Sequence, residues 1–372
     1  MNHLKFNRDQ LGAWLISYLL VFFLFFFLPV GWAKHWLLSQ SLVNGVLVDY
    51  LMPDFWFQDL LALLLLLMNW RTDEVISFFK DWRVVWGLLF IGGSIFHSSV
   101  PLISLVYALR FFLLLLLVLH LKGLLQKRPK LVKAAYQGLA GAMIWTSLLA
   151  MAQLINQGTV FGWWFLGEPV FQPGSGGVKK IIFGSKTLVM PLATLPHFNV
   201  LLAFLVFSLL LFSQRGAFLF LAGLVVFKLL TFQPSSFWRR WQLIKLSLAM
   251  IQDHFFWGVG WGCFVKKLPA YWQELSLTSR FLQPVHNIFL IILSELGFLG
   301  SLGFLAIIIR LYKRVIVNFS TRIYLLFSLF FFFGFLDHYF WTTTQGLYLA
   351  FLLPLLAVFS KQKPEPVKKL NQ

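Results

Sequence analysis

Of the 372 residues, 59% are hydrophobic and only 12% are charged, mean hydropathy is +0.79, and the apolar rings include 44 Phe and 16 Trp. An average soluble domain carries about 25% charge, so a water-soluble fold is excluded and an all-α, polytopic transmembrane bundle is expected. A net charge of +18 would suggest nucleic acid in a soluble chain. In a membrane chain it reads as the Lys/Arg bias of cytoplasmic loops and their attraction to anionic membrane lipid, with no nucleic-acid partner.

Apolar runs of bilayer length lie near residues 11–32, 55–70, 84–98, 101–121, 134–155, 198–213, 216–232, 286–309, 323–340 and 345–360. They predict about ten spans in a single membrane domain. The first run is longer than the core of a cleavable signal and is expected to remain as a span. With the N-terminus inside, the inside segments hold Lys5 and Arg8; Arg71, Lys80 and Arg83; and Lys122, Lys127, Arg128, Lys130 and Lys133. Further along they hold Arg310, Lys313, Arg314 and Arg322, then Lys361, Lys363, Lys368 and Lys369. This bias predicts cytoplasmic termini, with 361–372 as a disordered tail.

Two longer segments, 156–197 and 233–285, then fall outside and are expected to contain short or interfacial helices. Both are basic, holding Lys179, Lys180, Lys186, Arg239, Arg240, Lys245, Lys266, Lys267 and Arg280, so an anionic ligand is expected there. Residues 237–256 place apolar side chains at helical spacing with basic ones between, the pattern of an amphipathic interfacial helix. The Gly258, Gly260 and Gly262 turn should end it.

Several residues could carry chemistry. Arg110, inside an apolar run, is costly unless it reaches an acid, a cavity or an interface, as a structural pair or a substrate contact. Glu168 stands in FLGEP, ahead of the Gly-rich 174–177. Without a GxxxxGK[ST] or GxGxxG pattern, that stretch reads first as a loop tip. His197 and Asn199 stand at the outer mouth of the sixth span, and Arg215 lies in the next turn, cytoplasmic by parity. Pro284 can open a helix, which puts His286 and Asn287 in its first turn. A histidine there can cap the span, accept a proton from a hydroxyl or bond an oxyanion.

Glu295 lies about 13 Å deeper and half a turn away, so it is expected to pair with another helix. Gly297, Gly300 and Gly303 predict a smooth packing ridge. Asp337 and His338 close the ninth span on the outside, where a carboxylate could orient a base or bind a sugar hydroxyl. The single cysteine, Cys263, excludes an intrachain disulfide, a Cys-based metal cage and a CxxC pair.

The strings LGEP, LPHFNVLLAFL, SQRGAFL, RRWQLIKLSLAMIQDHFFWGVGWGCF and QPVHNIFLIILSELGFLG occur in this order over roughly residues 165–304. Together they resemble the bacterial O-antigen ligase and polymerase family. The resemblance implies a glycosyltransferase C-type fold and transfer of a glycan from an undecaprenyl-pyrophosphate donor. The acceptor would be a hydroxyl of a glycan, lipid or protein at the extracytoplasmic face of the plasma membrane, and neither metal nor cofactor is implied. His286 resembles the residue that activates the acceptor. Arg239 or Arg240 resembles the arginine that holds the pyrophosphate, and Arg215 a second one.

His197, Asn199, Glu168, Asn287 and Asp337 complete the substrate-binding candidates. The chain departs from the family's pattern at Phe198, where Pro is frequent, at Cys263, where Asn is common, and in the short spacings from Asn199 to Arg215 and on to Arg239. The chemistry is self-consistent, because guanidinium forks can clamp a leaving pyrophosphate without a metal and the acceptor then needs only a positioned base. The competing reading is a transporter or flippase of lipid-linked oligosaccharide. Such proteins show repeats and broken helices near the midplane; no repeat is visible here, and the candidates cluster at one outer face.

Overall fold

A computed structural model describes residues 8–68, 72–175, 178–183, 186–230, 234–272, 282–316 and 320–359. The predicted tail at 361–372, Arg280 and the second half of the Gly-rich stretch lie outside the described residues. The helices in chain order are α1 (Arg8–Phe26), α2 (Phe57–Met68), α3 (Thr72–Phe79), α4 (Trp82–Phe96), α5 (Pro101–Lys127), α6 (Pro129–Asn156), α7 (Phe198–Phe212) and α8 (Gln214–Leu230). They continue as α9 (Pro234–Asp253), α10 (Phe264–Tyr271), α11 (Ile288–Val315), α12 (Thr321–Leu336), α13 (Tyr339–Thr342) and α14 (Thr344–Val358).

Each of the ten apolar runs coincides with a helix. Among the described residues, three of these, α5, α6 and α11, are long and apolar enough to cross a membrane. The apolar stretches of α1, α2, α4, α7, α12 and α14 are shorter, so the expected count of about ten spans is not reached by length. Apolar composition overran the helices into turns. Pro29 follows the end of α1, and 55–70 begins inside a strand rather than a helix. The chain is an integral membrane helical protein.

Local signals set the helix ends. Pro101 and Pro129 open α5 and α6 at positions where a missing N–H costs nothing. The Asn287 side chain caps α11 by accepting from the backbone N–H groups of Phe289 and Leu290, both at 3.0 Å. That cap leaves His286 one position ahead of the N-cap, rather than in the first helical turn.

The strands were not foreseen. Within 33–56, β1 (Ala33–His35) and β2 (Leu42–Val43) pair antiparallel with β4 (Asp54–Trp56) and β3 (Val46–Leu47), respectively. In the first long segment, the described residues form no short helix but an antiparallel hairpin of β5 (Lys180–Phe183) and β6 (Lys186–Val189). The β-branched and aromatic content of KIIF and KTLV favours strand over helix there.

Only part of the predicted glycine ridge packs as expected. A Cβ on Gly303 would stand 2.7 Å from the Gly87 carbonyl oxygen, so α4 and α11 need bare backbone at their crossing. Gly297 instead breaks α11, with φ 66° and ψ −175°. Residues of the 254–263 loop supply the bonds the break forfeits. Val259 and Gly260 N–H donate to the carbonyls of Ser294 and Glu295, and Phe298 and Leu299 N–H donate to those of Phe255 and Phe256.

Candidate functional site

The polar cluster lies at the end of the bundle where α7 and α11 begin and α12 ends. Asp337 follows the last residue of α12, and its Oδ1 stands 3.0 Å from His286 Nδ1. Its Oδ2 accepts from Asn199 Nδ2 in the first turn of α7 at 3.0 Å. The His338 backbone N–H also donates to Oδ1, at 3.0 Å. The far nitrogen of His286, Nε2, faces Gln283 Oε1 at 3.3 Å. Arg240 on α9 donates from Nη1 to the carbonyl of Leu336, the residue just before Asp337, at 2.8 Å. The His338 ring lies 5.1 Å from that of His286, with Tyr50 edge-on to it at 5.9 Å.

Electrostatics separate the roles these groups can play. Burial alone would raise the Asp337 carboxyl, but His286 beside it, then His338 and Arg240, outweigh burial and hold it well below the usual carboxylate range. Burial pushes His338 down to about 3. Asp337 opposes that shift, while His286, His197 and Arg240 reinforce it. Asp337 is therefore an acceptor-only carboxylate that fixes a proton on His286 Nδ1. Nε2 of His286 faces the Gln283 amide and can accept a proton only where that amide presents its NH₂ rather than its oxygen, and His338 is left neutral.

The cluster draws together His286, Asp337, Asn199 and Arg240 from the candidates. His197 caps α7, its Nδ1 accepting from Asn199 N–H at 3.1 Å, and its ring stacks on Tyr339 at 5.5 Å. Arg239 precedes Arg240 on α9 and is half-buried. Three candidates stand apart. The Asn287 carbonyl oxygen is spent on the α11 cap. Glu168 is sealed, accepting from Val160, Phe161 and Gly162 N–H and from Gln153 Nε2 at 2.7–2.8 Å. Arg215 sits in the first turn of α8, past the far end of α7, which puts it about 22 Å from His197.

Arg110 is also apart, paired with Asp54 at 2.6 Å and Asp59 at 3.1 Å. Glu295, as expected, meets other elements, accepting from Trp341 Nε1 at 2.7 Å and Phe264 N–H at 3.2 Å. Tyr50 carried no sequence signal, because nothing local marks a loop tyrosine that reaches a histidine far along the chain.

The ligand atoms of His286, Asp337 and His338 lie within 4.8 Å of one another, a grouping able to hold a small divalent metal. The sequence reading expected no metal site; three residues from the joins of α11, α12 and α13 supply a candidate set only once folded. Comparison with curated proteins and with solved structures gives no match. Residues 198–305 do match a family model, and they hold Asn199, Arg240 and His286, while Tyr50 and Asp337 fall outside. That model is described as O-antigen ligase, and over these residues the chain is similar to that family.

Proposed function

We propose that the protein transfers a glycan from an undecaprenyl-pyrophosphate carrier to an acceptor hydroxyl at the extracytoplasmic face of the bacterial plasma membrane. The observation that carries this reading is the 3.0 Å contact between His286 Nδ1 and Asp337, with Arg240 bonded to the residue before that carboxylate. His286 Nε2 takes the acceptor proton as the acceptor oxygen bonds to the anomeric carbon. The sugar–phosphate bond breaks, and the carrier pyrophosphate leaves with the electron pair. The N–H groups of Arg240 and Arg239 are what that pyrophosphate meets, so the charge it gains is met by guanidinium rather than metal. Asn199 and His338 keep Asp337, and hence the imidazole, in place.

The break in α11 at Gly297 favours a second reading, a flippase of the lipid-linked glycan, because broken helices are a transporter feature. One assay separates the two. The purified protein in lipid is given a labelled undecaprenyl-pyrophosphate glycan, with and without EDTA. The expected result is free carrier and glycosylated acceptor in both samples. Carrier that crosses the bilayer with its glycan attached would support the flippase, and loss of transfer in EDTA would move the chemistry onto the His286, Asp337 and His338 metal grouping.

A further inference from the structure

A lateral groove between α2 and α5, about 570 Å³ in volume, is lined by Leu63, Leu66 and Leu67 on one wall and by Leu109, Leu113 and Leu116 on the other. At one end stand Asp54, Asp59 and Arg110. The polar end is incompletely used. Arg110 is 6% exposed, and its Nε and Nη2 are engaged with Asp54 and Asp59. Its Nη1 bonds no described residue and is not among the buried unpaired atoms, so it stays open to the groove.

Asp59 is occupied by Tyr348, by the Trp56 N–H and by Arg110. Asp54 is not so enclosed. Its side chain is 19% exposed, and each of its carboxylate oxygens has accepted a single side-chain donor, from Arg110 and Trp56, which leaves lone pairs free.

The level in the bilayer matters as much as the chemistry. From Arg110 to Lys127, in the last turn of α5, the helix runs about 26 Å. That is close to the roughly 30 Å of a bilayer's hydrocarbon core. Although it lies inside the apolar run 101–121, Arg110 bonds Asp54 and Asp59, just before and within the first turn of α2. This sets it level with the beginning of that helix and so near headgroup depth, and the leucine-lined walls run from it into the chain region. A free guanidinium N–H beside an open carboxylate matches a head that carries both an anionic oxygen and a cation. Two carboxylates against one guanidinium leave the pocket net negative, which disfavours a purely anionic head.

We infer that this groove binds one zwitterionic phospholipid whose head ends in a protonated amine. Its phosphate oxygen meets Arg110 Nη1, its ammonium meets Asp54, and one hydrocarbon chain lies along the leucines. The groove shares no lining residue with the histidine cluster, and the inference does not depend on the transfer reaction.

Native mass spectrometry of the full chain in mild detergent tests this, after equilibration with equal amounts of phosphatidylethanolamine, phosphatidylglycerol and undecaprenyl phosphate. The expected result is one bound phosphatidylethanolamine, favoured over phosphatidylglycerol by about threefold, the effect of one partly screened ion pair. Asp54→Asn should erase that preference. Leu113→Trp, which fills the groove and leaves the ion cluster intact, should lose the lipid, and it decides the matter if Asp54→Asn does not fold. Equal retention of the two phospholipids by the wild type, displacement of phosphatidylethanolamine by undecaprenyl phosphate, or undiminished lipid on Leu113→Trp would each overturn the inference.

Discussion

Asp337 and Glu168 are both buried carboxylates, both stood out in the sequence, and they do opposite things. Glu168 accepts from three consecutive backbone N–H groups and from the Gln153 amide. None of those donors can give up its proton. The carboxylate closes a turn in which Leu166 and Gly167 take left-handed backbone, with φ 52° and 75°, and it holds that turn rigid. Asp337 shares its charge with an imidazole, the Asn199 amide and one backbone N–H, with Arg240 one residue away. A buried carboxylate ringed by fixed donors is a structural staple, whereas one facing a titratable ring is equipped for proton transfer.

The largest effect that can break this contrast is at His286. His286→Ala should lower turnover about 10²–10⁴-fold, the range of a lost general base, and leave donor affinity nearly unchanged, because the base matters in the transition state. Single-turnover kinetics beside a donor-binding isotherm would show it. Equal losses in both would remove His286 from the chemistry. Replacing both Arg239 and Arg240 with Ala should weaken donor binding and turnover together, since the clamp already meets pyrophosphate in the ground state, and Lys at these positions should restore little.

Asp337→Asn comes next. The amide keeps the shape but no longer demands a proton on His286 Nδ1, so the imidazole can turn to the wrong tautomer, and turnover should fall about 10²-fold with folding intact. Glu168→Gln should do the reverse. Its NH₂ would face a backbone N–H, at a cost of about 1–3 kcal/mol. The protein should unfold earlier in a thermal scan, while the folded fraction keeps its turnover per molecule. If Glu168→Gln spares stability and cuts turnover, the distinction between the two carboxylates collapses.

Much of the helical layout was legible, because bilayer-length apolar runs, Pro at helix starts and Asn at an N-cap act locally. The break at Gly297 was not legible, since a glycine at ridge spacing and a glycine at φ 66° look alike in sequence. Only the 254–263 loop, bonding into the gap, distinguishes them. For the site, His286 and Asn199 were legible as polar residues at span mouths, as was Asp337. Their convergence was not, because Asn199, His286 and Asp337 meet only through the packing of α7, α11 and α12. Glu168 and Asn287 misled for one shared reason. A polar residue at a helix end or tight turn is as readily spent on backbone N–H groups as on a substrate, and the sequence does not show which.

The smallest expected effect lies in pH dependence and concerns His338. Its folded-state value, about 3, lies below the ordinary histidine range because burial disfavours the charged ring. The sign follows directly. Below pH 6.5 the unfolded chain takes up a proton at this histidine and the folded chain does not, so each further unit of acidification costs the fold about 1.4 kcal/mol until the folded value is reached. Above pH 6.5 the residue should contribute no slope. Between pH 6.5 and 5.5, therefore, the wild type should lose about 1 kcal/mol of stability from this one ring. In His338→Asn, whose side-chain amide can still bond Thr342 Oγ1 in place of His338 Nδ1, that slope should vanish. Thermal scans of both proteins in one detergent across this window measure the difference. A parallel slope in the two would mean that His338 is already charged in the fold, and the neutral partner assigned to Asp337 would then have to be replaced by a cation.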